Sequence, residues 1–156
     1  MEEILGNDPA RLQGRKRWMS LLAHADFDIL KKASLLVSDW PKFSFKVLPT
    51  TGLVMLSGMM GGKGALFSVG EATVTRCLVL DACGFTGVAY ILGRNRQHAE
   101  IAARLDAMLQ NPDKEELIRN AVIARLEKVE LEIRSAHEKD LRKTEIHFSA
   151  MKTMRS

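Results

Sequence analysis

The order of apolar and polar positions divides the chain into three parts. The first opens at Asp8-Pro9, an aspartate able to accept at an N-cap followed by a proline tolerated in the first helical turn. Leu12, Met19, Leu22 and Ala23 then fall on one helical stripe, with Arg11, Arg15 and Arg17 mostly off it. Asp26 is placed to cap a second helix carrying Phe27, Leu30, Leu35 and Leu36, which Pro41 ends.

The middle, from Phe43 to Arg94, is rich in Val, Thr, Phe, Leu and Gly and poor in charge. It reads as four strands: Phe43–Leu48, Gly52–Met59, Leu66–Leu80 with a bend near Gly70, and Phe85–Leu92. Both faces of the third look partly covered. The connections are Pro49-Thr50-Thr51, the Gly61-Gly62-Lys63-Gly64 loop and Asp81–Gly84. Parallel neighbours need a crossover of a dozen or more residues, so such short links predict an antiparallel meander.

The third part is helical. Asn95 starts a helix with Ile101, Ala102, Leu105, Met108 and Leu109 on one face, and Asn111-Pro112-Asp113 breaks it. Ile118, Val122, Leu126, Val129, Ile133 and Ala136 then recur at three- and four-residue spacing through a charged background. So narrow a stripe predicts a long helix that projects from its own domain or packs along a partner. The fold class expected is α+β: two N-terminal helices, an antiparallel sheet of about four strands, then C-terminal helices including one long one. A chain of 156 residues forms one domain, residues 1–156, with 1–16 as an N-terminal extension and 113–156 as a long helical segment.

Composition narrows the function classes. A hydrophobic fraction of 46% and a net charge of +4 exclude a disordered chain. The charge is mixed along the sequence, aromatics make up 6%, and no run of five Lys or Arg occurs, which disfavours nucleic acid as a partner. A small anion or an acidic protein suits this balance better. Two cysteines, Cys77 and Cys83, read as reduced thiols. No apolar run approaches the ~20 residues that span a bilayer, and no apolar leader follows Glu2 and Glu3, so no membrane is expected and the compartment expected is cytoplasmic.

Three constellations are candidates for chemistry. Gly61, Gly62, Lys63 and Gly64 look like a phosphate loop, but Gly64 stands where Ser or Thr would bind magnesium, and Phe67 stands where a dinucleotide fingerprint has its third glycine. The loop is either a hairpin connection using glycine for positive φ or an interface loop lying against a partner or ligand. Gly93-Arg94-Asn95-Arg96-Gln97-His98 joins a strand to a helix N-terminus, where free N–H groups favour anions and Arg matches phosphate bidentately. Arg94, Arg96 and His98 are therefore anion- or partner-binding candidates, against the alternative of a solvated turn capped by Asn95. Glu71 and Arg76 are two further candidates. Five residues apart, they face one site only if the strand bends or bulges between them; otherwise each is a pairing residue. His24, His98, His137 and His147 are scattered, and no metal-ligand spacing is legible. No nucleophile elbow is present, and catalytic residues are not legible. Trp18 and Trp40 are expected in the core.

Several short blocks together resemble the PhnG family. Arg17-Trp18-Met19-Ser20 with Leu22-Ala23-His24 resembles its N-terminal signature, and Thr51-Gly52-Leu53-Val54 with Met60-Gly61-Gly62 and Gly64 its central one. Phe67 with Gly70-Glu71-Ala72-Thr73-Val74-Thr75-Arg76-Cys77 resembles the next strand, and Gly87, Tyr90, Gly93-Arg94 and Gln97-His98-Ala99-Glu100 the block after it. Phe148 and Met151 are similar to a weaker C-terminal signature. The resemblance implies a subunit of the bacterial carbon–phosphorus lyase core complex, assembled with PhnH-, PhnI- and PhnJ-type partners. It implies participation in the step in which a phosphonate attacks the anomeric carbon of ATP and releases adenine, with the main catalysis in the PhnI-type partner and the radical step in the PhnJ-type one. ATP would be co-substrate of the complex, with no cofactor bound by this chain alone. The rival readings are a regulatory or scaffold module of another assembly and a free-standing ligand-binding domain.

Overall fold

The computed structural model describes residues 9–143. The proposed cap Asp8, and Phe148 and Met151, lie outside the described residues. Helices α1 (Pro9–His24) and α2 (Phe27–Ser34) precede strands β1 (Phe43–Met59), β2 (Leu66–Asp81) and β3 (Thr86–Leu92). Helices α3 (Arg96–Gln110), α4 (Pro112–Ile118) and α5 (Ala124–Lys143) follow, with a π-helical turn over Arg119–Ile123 between the last two. The α+β class, the antiparallel sheet and the long terminal helix all match the sequence reading.

Among the described residues the sheet has three strands in the order β1-β2-β3 rather than the expected four. Pro49 does not end a strand. β1 runs through it, and the register against β2 slips between Val47 and Thr50. Proline donates no ladder hydrogen bond, and an edge strand with a bulge is where that loss is tolerated. A further irregularity lies between Leu56 and Ser57, opposite Gly70 and Ser68, at the bend expected near Gly70.

The period-two pattern decides which face is covered. Thr75, Cys77 and Val79 of β2 and Gly87, Ala89 and Ile91 of β3 are buried, while Arg76, Tyr90 and Leu92 between them are exposed. Helix α3 lies on the buried face and presents Ala99, Ala102, Ala103 and Ala107. The approach is close at Gly87, where an added Cβ would overlap the Ala103 carbonyl and sit 2.7 Å from the Ala107 nitrogen.

Helix α1 packs with most of its expected stripe inward, Met19 and Ala23 lying against the core, but not all of it. Trp18, Leu21 and Leu22 are buried, whereas Leu12 is exposed. Arg11 and Arg15 point toward α3 because that helix offers acceptors: Arg11 Nη2 donates to the Gln110 carbonyl at 2.8 Å, and Arg15 Nη2 to Asp106 Oδ2 at 2.8 Å. Helix α2 starts as expected, with Asp26 accepting from the Asp28 and Ile29 amides, but it ends before Leu35 and Leu36, which are exposed. In the terminal helical run, Ile118, Val122, Ile123 and Leu126 enter the core, and from Glu130 to Asp140 every residue is exposed.

Candidate functional site

The turn after β3 is pinned to its neighbour. Gly93, at φ +93°, donates its N–H to the Thr73 carbonyl at 2.8 Å and accepts from Thr75 Oγ1 at 2.7 Å. Asn95 caps α3 by accepting from the His98 amide at 3.0 Å. Arg94 and Arg96 are exposed on this turn. His98 is not beside them at the surface. It is 5% exposed, its Nε2 lies 2.7 Å from the Leu22 carbonyl, and its ring sits against Phe27 with centroids 6.0 Å apart. A carbonyl only accepts, so Nε2 carries the proton and ties α3 to α1. The structure thus leaves Arg94 and Arg96 facing solvent and turns His98 inward.

Glu71 and Arg76 fall on opposite faces of β2. The pairing from Arg76 with Thr50 through Glu71 with Met55 has no slip; the irregularities lie outside it, between Val47 and Thr50 on one side and Leu56 and Ser57 on the other. Arg76 is exposed on the face away from α3, paired across the sheet with Thr50 and Tyr90. A depression of about 320 Å³ there is lined by Thr50, Thr51, Gly52, Val74, Arg76 and Tyr90. Glu71 is exposed on the α3 side, beyond the end of that helix's cover.

The glycine loop is the tip of a long hairpin. Gly61 (φ +60°) and Gly62 (φ +80°) occupy the left-handed region, and the Gly64 amide closes on the Met60 carbonyl at 2.8 Å. Because β3 pairs with β2 only from Val74 to Leu80, the stretch Leu53–Val69 extends past the third strand as a two-stranded arm. On the α3 side it carries Leu53, Met55, Met59 and Leu66, each 56–68% exposed. On the other side are Val54, Leu56, Phe67 and Val69, also exposed, with Phe67 and Val69 leaning over Gly58, whose missing side chain makes the room.

Sequence reading missed Asp106. It is completely buried in α3, and its carboxylate accepts from Trp18 Nε1 (2.9 Å), Arg15 Nε (3.2 Å) and Nη2 (2.8 Å), and the Val88 amide (3.0 Å). Arg15 Nη2 and Gln110 Nε2 also donate to the Thr86 carbonyl. Together these groups satisfy the outer edge of β3, which would otherwise present unpaired backbone. The legible signal was one charged residue between Leu105 and Ala107 on an otherwise apolar face.

Of the two thiols, Cys83 is exposed and Cys77 is buried. Loss of water around Cys77 pushes its pKa from an ordinary 9.0 up to about 11; nearby Glu100 pushes the same way and Arg104 opposes. Among the described residues no group of three or more His, Cys, Asp or Glu is placed to hold a metal, and no helix is long and apolar enough to cross a membrane.

A body whose hairpin arm exposes large apolar side chains on both faces has the character of a component of an assembly. Residues 13–154 match the family described as Phosphonate metabolism protein PhnG. A relative from Rhizobium meliloti (strain 1021), the α-D-ribose 1-methylphosphonate 5-triphosphate synthase subunit PhnG, is 37% identical over 111 residues, covering 71% of each chain. The chain belongs to the PhnG family.

Proposed function

We propose that this chain is an obligate subunit of an α-D-ribose 1-methylphosphonate 5-triphosphate synthase. That assembly transfers a phosphonate onto the ribose C1′ of ATP and releases adenine. PhnH-, PhnI- and PhnJ-type subunits are its companions, the main catalytic groups sit in the PhnI-type subunit, and this chain has no activity of its own. The observation that carries the reading is the arm Leu53–Val69, which exposes large apolar side chains on both faces. Large exposed apolar patches mark sites of association, and the similar protein is named as a synthase subunit.

Within the assembly, the turn bearing Arg94 and Arg96 meets anionic groups, either the phosphates of the bound nucleotide or an acidic patch of the PhnI-type subunit. Two exposed guanidinium groups beside an α-helix N-terminus support this, since that end of a helix attracts negative charge. His98 belongs to the support of the turn. The test is co-expression with the three companion subunits followed by sizing. A stable complex containing this chain in fixed proportion is expected, and a chain that stays apart from all three would contradict the reading.

A further inference from the structure

We infer that the hairpin arm Leu53–Val69 is a docking prong that inserts into an apolar cleft of a different protein subunit and is clasped on both faces. The inference rests on the subunit reading above and adds the element that docks and the chemistry of what receives it.

Three features of the arm fix the kind of occupant. First, an isolated two-stranded hairpin is marginal in water, and among the described residues no third strand pairs with it beyond Thr73 and its large apolar side chains stay exposed. Second, both faces are apolar: Leu53, Met55, Met59 and Leu66 on one, Leu56, Phe67 and Val69 on the other. Two copies of this chain laid face to face would cover one face of each arm and leave the other in water. A cleft with two walls covers both. Third, between Lys46 and Glu71 the only charged residue is Lys63, at the tip. The walls of the cleft are therefore apolar and uncharged, and its floor is acidic where Lys63 arrives. Among the described residues no strand flanks either edge of the arm, so a strand of the receiving subunit can add main-chain hydrogen bonds there.

Two pairs of substitutions in the full chain test the two faces separately: Met55→Glu with Leu66→Glu, and Leu56→Glu with Val69→Glu. All four positions are exposed, so the melting temperature of the body should hold. Each pair is expected to weaken association with the co-expressed PhnH-, PhnI- and PhnJ-type subunits by about tenfold or more, the scale of loss at a central interface residue. Amide exchange on the unsubstituted chain is expected to slow across Leu53–Val69 once the companions bind. If the unsubstituted chain assembles and both variants assemble as tightly, with no protection of the arm, the prong is wrong and the subunit reading stands. Sensitivity on one face alone overturns the clasp. A discrete dimer of the isolated chain that the same substitutions break assigns the arm to a second copy, and overturns the inference. An unsubstituted chain that joins no companion overturns the subunit reading itself.

Discussion

Trp18 donates its indole N–H to Asp106 Oδ1 at 2.9 Å across the interface of α1 and α3, and both residues are closed to solvent. The same carboxylate takes Arg15 and the Val88 amide. Removing it strands several donors at once, among them the Trp18 indole N–H, which lost its water on folding. Asp106→Ala should therefore cost about 3 kcal/mol or more, the scale found when one partner of a buried charged network is deleted. Thermal unfolding followed by Trp18 fluorescence measures it. Asp106→Asn keeps the shape and should cost less.

The same pairing shows where sequence reading reaches its limit. Periodicity located α1 and α3, because buried positions recur every three or four residues in both. On α1 it placed Met19, Leu22 and Ala23 correctly, misplaced Leu12 and missed Arg15, since it counts only apolar residues; Arg15 turns toward Asp106 because the carboxylate is there to receive it. Proline misled the strand count for a related reason: Pro49 breaks a central strand, but β1 is an edge. Of the candidate site, the glycine loop, Arg94 and Arg96 were legible as an exposed tip and turn. The inward orientation of His98 was not, because its partner is a backbone carbonyl 76 residues away.

His98 and Arg94 should separate cleanly. His98→Ala removes a buried donor to the Leu22 carbonyl and leaves a gap beside Phe27, so it should lower stability by about 1–3 kcal/mol. Arg94→Ala is exposed and should leave the melting temperature unchanged. In the assembled complex it should weaken assembly or adenine release about tenfold to a hundredfold, as expected for one charge-assisted hydrogen bond of about 1.5–3 kcal/mol. No change in either would reduce the turn to a solvated cap.

Gly87→Ala should be among the most damaging single-methyl additions. The new Cβ meets backbone, the Ala103 carbonyl and the Ala107 nitrogen, which cannot rotate away. Helix α3 must move off β3, at a cost of about 3 kcal/mol. Chemical denaturation reports the loss.

Cys77 gives a pH signature. Its thiol titrates near 11 in the fold, against an ordinary 9.0. The folded state therefore holds its proton longer than the unfolded chain. The stabilisation is complete below pH 9.0 and is lost as pH rises toward about 11. Cys77→Ala should flatten the fall in stability over that window. Thiol alkylation at neutral pH should modify exposed Cys83 and spare Cys77 until the chain unfolds.

The measurement that bears most directly on the central claim is adenine release from ATP and methylphosphonate by the purified companion subunits, with this chain present, omitted, or alone. The account predicts release only when the companions and this chain are together, and none from this chain by itself. Undiminished release without it, or release by it alone, would contradict the claim that it is an obligate subunit of the synthase.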